Sequence, residues 1–184
     1  IIAGGSAATP FLDVPEFTPT LQSTSGVRVK IYIHLGLLSR DDCAFLARCA
    51  GNLNGWVPGR QGGGYSKLDV TPVLGDARLA ACVAALRGVM CGPRYPHDAW
   101  LIKYPVGSSV GAHTDPVSDR RHYRVNALIA RAARGGRLSI GGRRVAMRTG
   151  DAVYFHPDAV EHSVSRVERG ERLVLSVGTT VPPP

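Results

Sequence analysis

The chain has 184 residues, which is enough for one domain with a hydrophobic core of its own. Hydrophobic residues make up 44% and charged residues 20%, as in an ordinary globular protein, and no apolar run approaches the ~20 residues of a membrane-spanning helix. The formal net charge is +8. The excess is local, because residues 116–150 hold nine arginines and a single aspartate, and a local excess of this kind attracts anions.

The beginning of the chain and its cysteines bear on the compartment. Residues 1–10 lack the basic stretch that opens a signal peptide. The four cysteines form no C-x-x-C motif, and their spacing does not favour a zinc site; they are Cys43, Cys49, Cys82 and Cys91. We therefore expect reduced thiols and a cytoplasmic protein.

In chain order, the first predicted elements are a segment without periodicity, a strand and two helices. Residues 1–26 predict an extended lead-in, and the alternation over 27–34 predicts a half-buried strand. Ser39 predicts the start of a helix, with Asp42 three residues later as an acidic variant of the capping box. Residues 76–90 predict a second amphipathic helix.

From residue 98 onward the sequence predicts short strands separated by turns. The predicted strands cover residues 99–104, 109–114, 123–130, 137–140, 143–147, 152–155, 160–166 and 171–179. Two helices followed by about eight strands indicate a mainly β protein, a double-sheet jelly roll (double-stranded β-helix) backed by two α-helices. We expect a single domain over 27–184, with its catalytic core at about 98–179.

The loop at residues 59–65 contains three consecutive glycines, Gly62 to Gly64, before Tyr65. A run of glycines costs backbone entropy, so it has either a functional reason, such as a lid over an active site, or none beyond an idle surface loop. The sequence alone leaves both interpretations open.

His113, Asp115 and His162 are the candidate metal ligands. His113 and Asp115 lie two residues apart on a predicted strand, so their side chains point to the same face. His162, in another predicted strand, is placed to complete the set. Two histidines and one carboxylate on one side of an ion leave coordination positions open, the arrangement of non-haem Fe(II) oxygenases.

Arg172 follows His162 by ten residues, across a predicted turn at 167–170. If this turn forms a hairpin that pairs residue 164 with residue 172, then His162 and Arg172 share one face about 7 Å apart along the sheet. Arginine grips a carboxylate with two parallel hydrogen bonds. We therefore expect Arg172 to hold the far carboxylate of a diacid that chelates the metal.

These motifs resemble the prolyl-4-hydroxylase-like branch of the 2-oxoglutarate/Fe(II) dioxygenases over roughly residues 98 to 179. The matching features, in order, are Tyr104-Pro105-Val106-Gly107, His113-Thr114-Asp115, Arg124 to Ile129, Gly135-Gly136-Arg137-Leu138, Gly150-Asp151-Ala152-Val153-Tyr154-Phe155, and His162-Ser163-Val164 with Arg172. The resemblance implies Fe(II), 2-oxoglutarate as cosubstrate, O₂ and hydroxylation of a C–H bond. Tyr104 fits two roles, packing in the core or a hydroxyl directed at the cosubstrate.

The chain departs from the family at three places. Val110 stands where an aromatic residue is frequent, residues 129–131 lack a frequent tyrosine, and Gly178 stands where some members have tryptophan. The metal ligands are untouched by these differences. The three differences argue against a peptidyl-proline substrate.

For the substrate, a small and anionic molecule is the first interpretation, a protein side chain the second and a nucleic acid the third, with no membrane partner. Arg120, Arg121, Arg131 and Tyr65 are the candidate substrate-binding residues. The arginines of residues 116–150 also fit a plainer role as solvated hairpin edges. A non-catalytic sensor barrel is the alternative of another class, which the presence of Arg172 disfavours.

Overall fold

The computed structural model describes residues 31–90 and 97–182, together with the backbone of three short strands that precede them. The predicted lead-in at residues 1–26 lies largely outside the described residues. Two α-helices are present in the described part, α1 (Arg40–Asn52) and α2 (Ala77–Gly88), with a 3-10 turn at Thr71–Val73 between them. No helix in this part of the chain is long and apolar enough to cross a membrane.

All other regular elements are strands. In chain order they are β1 (Glu16–Phe17), β2 (Thr20–Gln22), β3 (Arg28–Lys30), β4 (Tyr32–His34), β5 (Val57–Pro58), β6 (Ser66–Asp69), β7 (His97–Tyr104), β8 (Val110–His113), β9 (Arg121–Ala130), β10 (Arg134–Gly135), β11 (Leu138–Ile140), β12 (Arg143–Arg144), β13 (Ala152–Phe155), β14 (His162–Val164), β15 (Val167–Arg169) and β16 (Arg172–Val181). The eight strands predicted after residue 98 are all present, shifted by a few residues at their ends. The single strand predicted at 27–34 is divided at Ile31, because β3 pairs with β2 whereas β4 pairs with β13.

Two antiparallel sheets form the barrel. The major sheet has the order β1-β4-β13-β9-β16-β7-β6-β5, and the minor sheet has the order β12-β11-β14-β8. The pairs β10–β15 and β2–β3 stand apart from both. The prediction of a mainly β jelly roll backed by two helices is confirmed.

Helix capping follows from short polar side chains. The hydroxyl of Ser39 accepts a hydrogen bond from the backbone N–H of Asp42 at 3.0 Å, as the capping motif predicts. Asp76 caps α2 by accepting from the N–H groups of Arg78 and Leu79, both at 2.9 Å. Both caps satisfy N–H groups that a helix start leaves without a partner inside the helix.

Alternation along the strands of the major sheet gives two separate cores. One face packs against α1 and α2 through buried residues such as Leu46, Leu86 and Leu175. The other face packs against the minor sheet through residues such as Phe155 and Val174. Because successive side chains of a strand point to opposite faces, residues 172, 174 and 176 of β16 face the space between the two sheets. The candidate site lies in that space.

Candidate metal centre

His113, Asp115 and His162 come together, as the sequence predicts. His113 ends β8, His162 begins β14, and these two residues are paired in the minor sheet. Asp115 lies just beyond β8, where its backbone N–H donates to the carbonyl of Pro157 at 2.7 Å. One potential ligand atom of each side chain lies within 4.8 Å of the others.

The distances within this cluster suit a single ion. Nε2 of His113 lies 3.7 Å from Oδ1 of Asp115, and Nε2 of His162 lies 3.7 Å from Oδ2 of the same carboxylate. Two donors each about 2.1 Å from one ion lie about 3.0 Å apart at a right angle and about 4.2 Å apart when opposite. Both distances fall in that range, so the cluster fits a metal ion without rearrangement of the backbone.

Hydrogen bonds fix which nitrogen of each imidazole faces the cluster. Nδ1 of His113 donates to the carbonyl of Gly111 at 2.8 Å, and Nδ1 of His162 donates to the carbonyl of Val160 at 3.3 Å. Each Nε2 is therefore the nitrogen with the lone pair that a metal would use, which is the usual way that second hydrogen bonds prepare histidine ligands. The pKa of His162 is lowered to about 4, first by burial and second by the ring of His113. Its imidazole is neutral at pH 7 and able to bind a metal.

The glycine loop lies against this cluster. The side-chain nitrogen of Gln61 is 3.1 Å from Nε2 of His113 and 3.2 Å from Oδ1 of Asp115. The hydroxyl of Tyr65 donates to the amide oxygen of Gln61. The amide of Gln61 thus contacts potential metal-binding atoms of both His113 and Asp115. We did not predict Gln61 from the sequence, since a single glutamine in a loop carries no pattern.

Two hydrogen bonds anchor the glycine loop to the turn before β8. The N–H of Ser109 donates to the carbonyl of Gly63 at 2.8 Å, and the hydroxyl of Ser108 donates to the carbonyl of Gly64 at 3.1 Å. Gly63 has a φ of +73°, and a Cβ there would lie 1.8 Å from the carbonyl oxygen of Ser109. Glycine is therefore required at this position both for backbone conformation and for space.

Arg172 is buried beside the cluster, but not by the predicted hairpin. The prediction that residue 164 pairs with residue 172 is wrong: β14 belongs to the minor sheet and β16 to the major sheet. Arg172 instead pairs with Tyr104 of β7, and its guanidinium carbon lies 5.0 Å from the centre of that ring. His162 and Arg172 therefore lie on strands of different sheets, separated in the chain by β15 and the turn at Gly170.

Arg172 is only 4% exposed, and no carboxylate lies at ion-pair distance from it in the described part of the chain. Its side-chain neighbour is Tyr104, whose hydroxyl acts to raise the pKa of Arg172 against the effect of burial. Burial lowers the pKa of Arg172, and burial raises the pKa of Tyr104. A buried cation with only a neutral phenol beside it is a site prepared for an anion.

Aromatic contacts connect Arg172 with the metal cluster. The rings of Tyr104 and Tyr65 stack with centroids 5.3 Å apart, and Tyr65 reaches Gln61. Tyr65 and Tyr104 line a 270 Å³ cavity together with His113, Asp115 and His162. The contacts therefore run without interruption from Arg172 to the cluster.

The predicted arginines lie in different places. Arg120 donates to the carbonyl of Thr180 at 3.2 Å, and Arg121 pairs with Asp158 at 3.5 Å. Arg131 lines a different, larger cavity that Arg172 also borders. In the part of the chain that the structure describes, none of these three lines the metal cavity, whereas Tyr65 does.

Arg124 lines the metal cavity as well, and its environment explains one departure from the family pattern. Its guanidinium donates to Asp98 at 2.9 Å and to the hydroxyl of Ser176 at 2.9 Å. A Cβ added to Gly178 would lie 2.6 Å from the guanidinium carbon and 2.9 Å from Asp98 Oδ1. A larger residue at 178 is therefore incompatible with this Arg124–Asp98 pair.

Comparison with solved structures identifies the fold. A prolyl-4-hydroxylase from Pseudomonas putida superposes with a TM-score of 0.64 and 23% identity, covering 84% of this chain and 93% of that one. A viral collagen prolyl hydroxylase from Paramecium bursaria Chlorella virus-1, solved with 2-oxoglutarate, superposes with a TM-score of 0.62 and 14% identity, covering 82% of this chain and 96% of that one. HygX from Streptomyces hygroscopicus, solved with nickel and 2-oxoglutarate, superposes with a TM-score of 0.64 and 10% identity, covering 83% of this chain and 82% of that one.

Sequence comparison adds little to this. No family model matches the chain. A hydroxyethylthiazole kinase from Haloquadratum walsbyi is 30% identical over 84 residues, and the match covers 46% of this chain but only 29% of the kinase. The structural similarity spans more than four fifths of the chain. The protein therefore has the jelly-roll fold of the 2-oxoglutarate/Fe(II) oxygenases, and its His–Asp–His cluster could hold a metal ion.

Proposed function

We propose that the protein is an Fe(II)- and 2-oxoglutarate-dependent oxygenase that hydroxylates a C–H bond of a small, anionic molecule. His113, Asp115 and His162 hold the iron, and Arg172 with Tyr104 holds the far carboxylate of 2-oxoglutarate. The observation that carries the proposal is the buried guanidinium of Arg172, which has no carboxylate partner among the described residues and contacts Tyr104, a residue that lines the cavity of the metal-binding cluster.

The donor set supports iron. Two neutral imidazoles and one carboxylate suit Fe(II) and neighbouring divalent ions, and the carboxylate distinguishes the cluster from the halogenating relatives that lack it. When bound, iron together with 2-oxoglutarate and O₂ would supply the oxidising chemistry, in which one oxygen atom of O₂ enters succinate as CO₂ is lost and the other hydroxylates the substrate.

The chain's own residues bind, orient and exclude water. Two parallel hydrogen bonds from Arg172 fix the orientation of a carboxylate, and the hydroxyl of Tyr104, whose pKa is raised by burial, stays protonated beside it. Ile102, Val110 and Val164 line the cavity with apolar surface, which keeps water from the bound cosubstrate.

The size and charge of the metal cavity support a small anionic substrate. Its volume of 270 Å³ is at the lower end for ligand pockets and also has to accept the cosubstrate. Its lining contains three basic residues, Arg60, Lys67 and Arg124, and two acidic residues, Asp98 and Asp115. A single side chain of a protein or an extruded nucleic-acid base is the alternative that fits the same volume.

Free thiols at Cys43, Cys49 and Cys82 support the further proposal of a cytoplasmic location.

Titration of 2-oxoglutarate into the Fe(II) protein without oxygen tests the proposal. We expect a visible absorption band on formation of the complex, and succinate release once O₂ is admitted. Loss of the band in the His162→Ala protein, with retention in His156→Ala, is the expected control. Absence of any 2-oxoglutarate binding by the iron-loaded wild-type protein contradicts the proposal. Binding of 2-oxoglutarate without succinate release under any substrate supports the sensor interpretation instead.

A further inference from the structure

A second cavity, larger than the one at the metal cluster, lies between the two sheets near β11 and the segment that joins β12 to β13. Its volume is 960 Å³. Five arginines line it, and we call it the arginine cavity: Arg131, Arg137, Arg144, Arg148 and Arg172. The lining contains none of the three candidate metal ligands, and Arg172 forms part of its wall.

The positive charge of the arginine cavity is not balanced from within. Asp151 is its acidic residue, and both carboxylate oxygens accept backbone hydrogen bonds, one from Gly36 at 2.9 Å and one from Arg148 at 2.7 Å. Within residues 31–90 and 97–182, no ion pair involves any of the five arginines. The guanidinium groups of the four arginines other than Arg172 are therefore available to an external anion.

The arginines are also close enough to repel one another. The pKa of Arg137 is lowered, first by burial and then by the charges of Arg131 and Arg144. Cations that gather in a concave site create a positive potential, which raises the local concentration of anions. A bound anion removes this repulsion, so the arrangement favours occupancy over an empty site.

The walls between the arginines are apolar. Leu128, Leu138, Val145 and Met147 contribute to the lining. A mainly apolar cavity with a few convergent charged groups is the usual form of a small-molecule site, and its volume lies near the upper end for such sites. Planar guanidinium groups match both phosphate and carboxylate oxygens through paired hydrogen bonds.

We propose that the arginine cavity binds a small molecule with two or more phosphate or carboxylate groups, at a place separate from the metal cluster. One carboxylate at Arg172 leaves the other four arginines without a counter-charge, so the far end of 2-oxoglutarate does not account for the cavity. The concave shape favours a small molecule over a nucleic acid, which would follow a groove or an open face.

Calorimetric titration of the metal-free full chain with pyrophosphate and, separately, with citrate tests this site. Arg144 and Arg148 are exposed, so the double variant Arg144→Gln/Arg148→Gln leaves the core unchanged. We expect it to bind at least about tenfold more weakly than the wild type, because two charge-assisted contacts are lost. The matched control is Arg48→Gln/Arg87→Gln, which removes the same charge from exposed positions on α1 and α2. We expect its affinity to stay within about twofold of wild type.

Comparison of the two ligands shows whether the site prefers phosphate or carboxylate groups. Tighter pyrophosphate binding assigns the site to phosphorylated molecules, and tighter citrate binding assigns it to polycarboxylates. An equal loss in the helix variant shows non-specific attraction to net charge and overturns the proposal. The proposal is also overturned if the wild-type protein binds neither ligand, or if the Arg144→Gln/Arg148→Gln variant binds with wild-type affinity. Binding of 2-oxoglutarate alone, lost in the cavity variant, makes the cavity an outer part of the cosubstrate site, which also overturns it. Because no metal is present, failure of the proposed oxygenase activity does not affect these outcomes.

Discussion

Replacement of Arg172 by alanine is the most informative single change, since it removes a buried charge without touching a candidate metal ligand. The guanidinium is 4% exposed and pairs with a phenol rather than a carboxylate. Loss of one partner of a buried, hydrogen-bonded charge pair costs about 2 to 5 kcal/mol. We therefore expect the Kd for 2-oxoglutarate to rise between about 30-fold and several thousand-fold.

A lysine substitution at the same position separates charge from geometry. The Arg172→Lys protein keeps the positive charge but cannot form the two parallel hydrogen bonds, so we expect its affinity to lie between the wild-type and alanine values. Anaerobic titration of the Fe(II) protein, followed through its visible absorption, measures all three affinities. Calorimetric titration of the divalent metal is the accompanying control, and we expect metal affinity to be unchanged.

The matched control is Arg124→Ala, which removes an arginine of the major sheet that lines the metal cavity. Its guanidinium is already paired with Asp98 at 2.9 Å, so we expect a smaller effect on 2-oxoglutarate affinity than at Arg172. If Arg172→Ala binds 2-oxoglutarate with wild-type affinity and Arg124→Ala does not bind it, the reasoning is refuted. Arg124 is then the residue that binds the far carboxylate of the cosubstrate. A folded Arg172→Ala protein, shown by an unchanged circular dichroism spectrum, is required for either conclusion.

Three further changes test other parts of the structure. His162→Ala should weaken divalent metal binding at least about tenfold in calorimetry, because one of three ligands is lost. Gly63→Ala should lower stability by about 1 to 3 kcal/mol in chemical denaturation, because its Cβ meets the carbonyl of Ser109 and its φ is +73°. Burial lowers the pKa of His156, so stability should fall as the pH decreases from 6.5 toward that lowered pKa, and His156→Gln should reduce this dependence.

Each of these has a control. For His162 it is His156→Ala, which removes a histidine outside the cluster, and equal metal affinity in both variants would contradict the assignment. For Gly63 it is Gly62→Ala, where no atom lies within 4 Å of the added Cβ, although the φ of +68° remains unfavourable. Equal destabilisation by both substitutions would show that the contact with Ser109 is unimportant. For His156, Arg121 and Asp158 also influence the titration, and an unchanged pH dependence in His156→Gln would assign it to another group.

The metal cluster could be predicted from the sequence because strand geometry fixes it locally. Residues 113 and 115 share a face by alternation, whereas His162 was predicted as the third ligand from its place on another strand and from the family motif. The helix start at Ser39 could be predicted for a similar reason, since the cap forms within four residues. Local rules of this kind hold whatever the rest of the fold does.

The role of Arg172 in binding the cosubstrate stays a prediction, and the hairpin from which it was argued is wrong. A turn between two strands suggests a hairpin, yet β14 and β16 pair with different neighbours in different sheets. Sheet membership depends on contacts distant in sequence, which local patterns do not contain. Gln61 escaped prediction for the same reason, because only the fold brings residues 61 and 113 together. The arginine cavity also depends on the fold, which gathers some arginines of residues 116–150 and leaves Arg120 and Arg121 elsewhere.

Gly178 has a consequence for the redesign of this protein. Asp98, Arg124 and Gly178 lie on three adjacent strands, and the guanidinium occupies the volume that a side chain at 178 would fill. A tryptophan at position 178 therefore displaces the guanidinium of Arg124 from its ion pair with Asp98. Redesign at position 178 thus has to consider positions 98 and 124 at the same time.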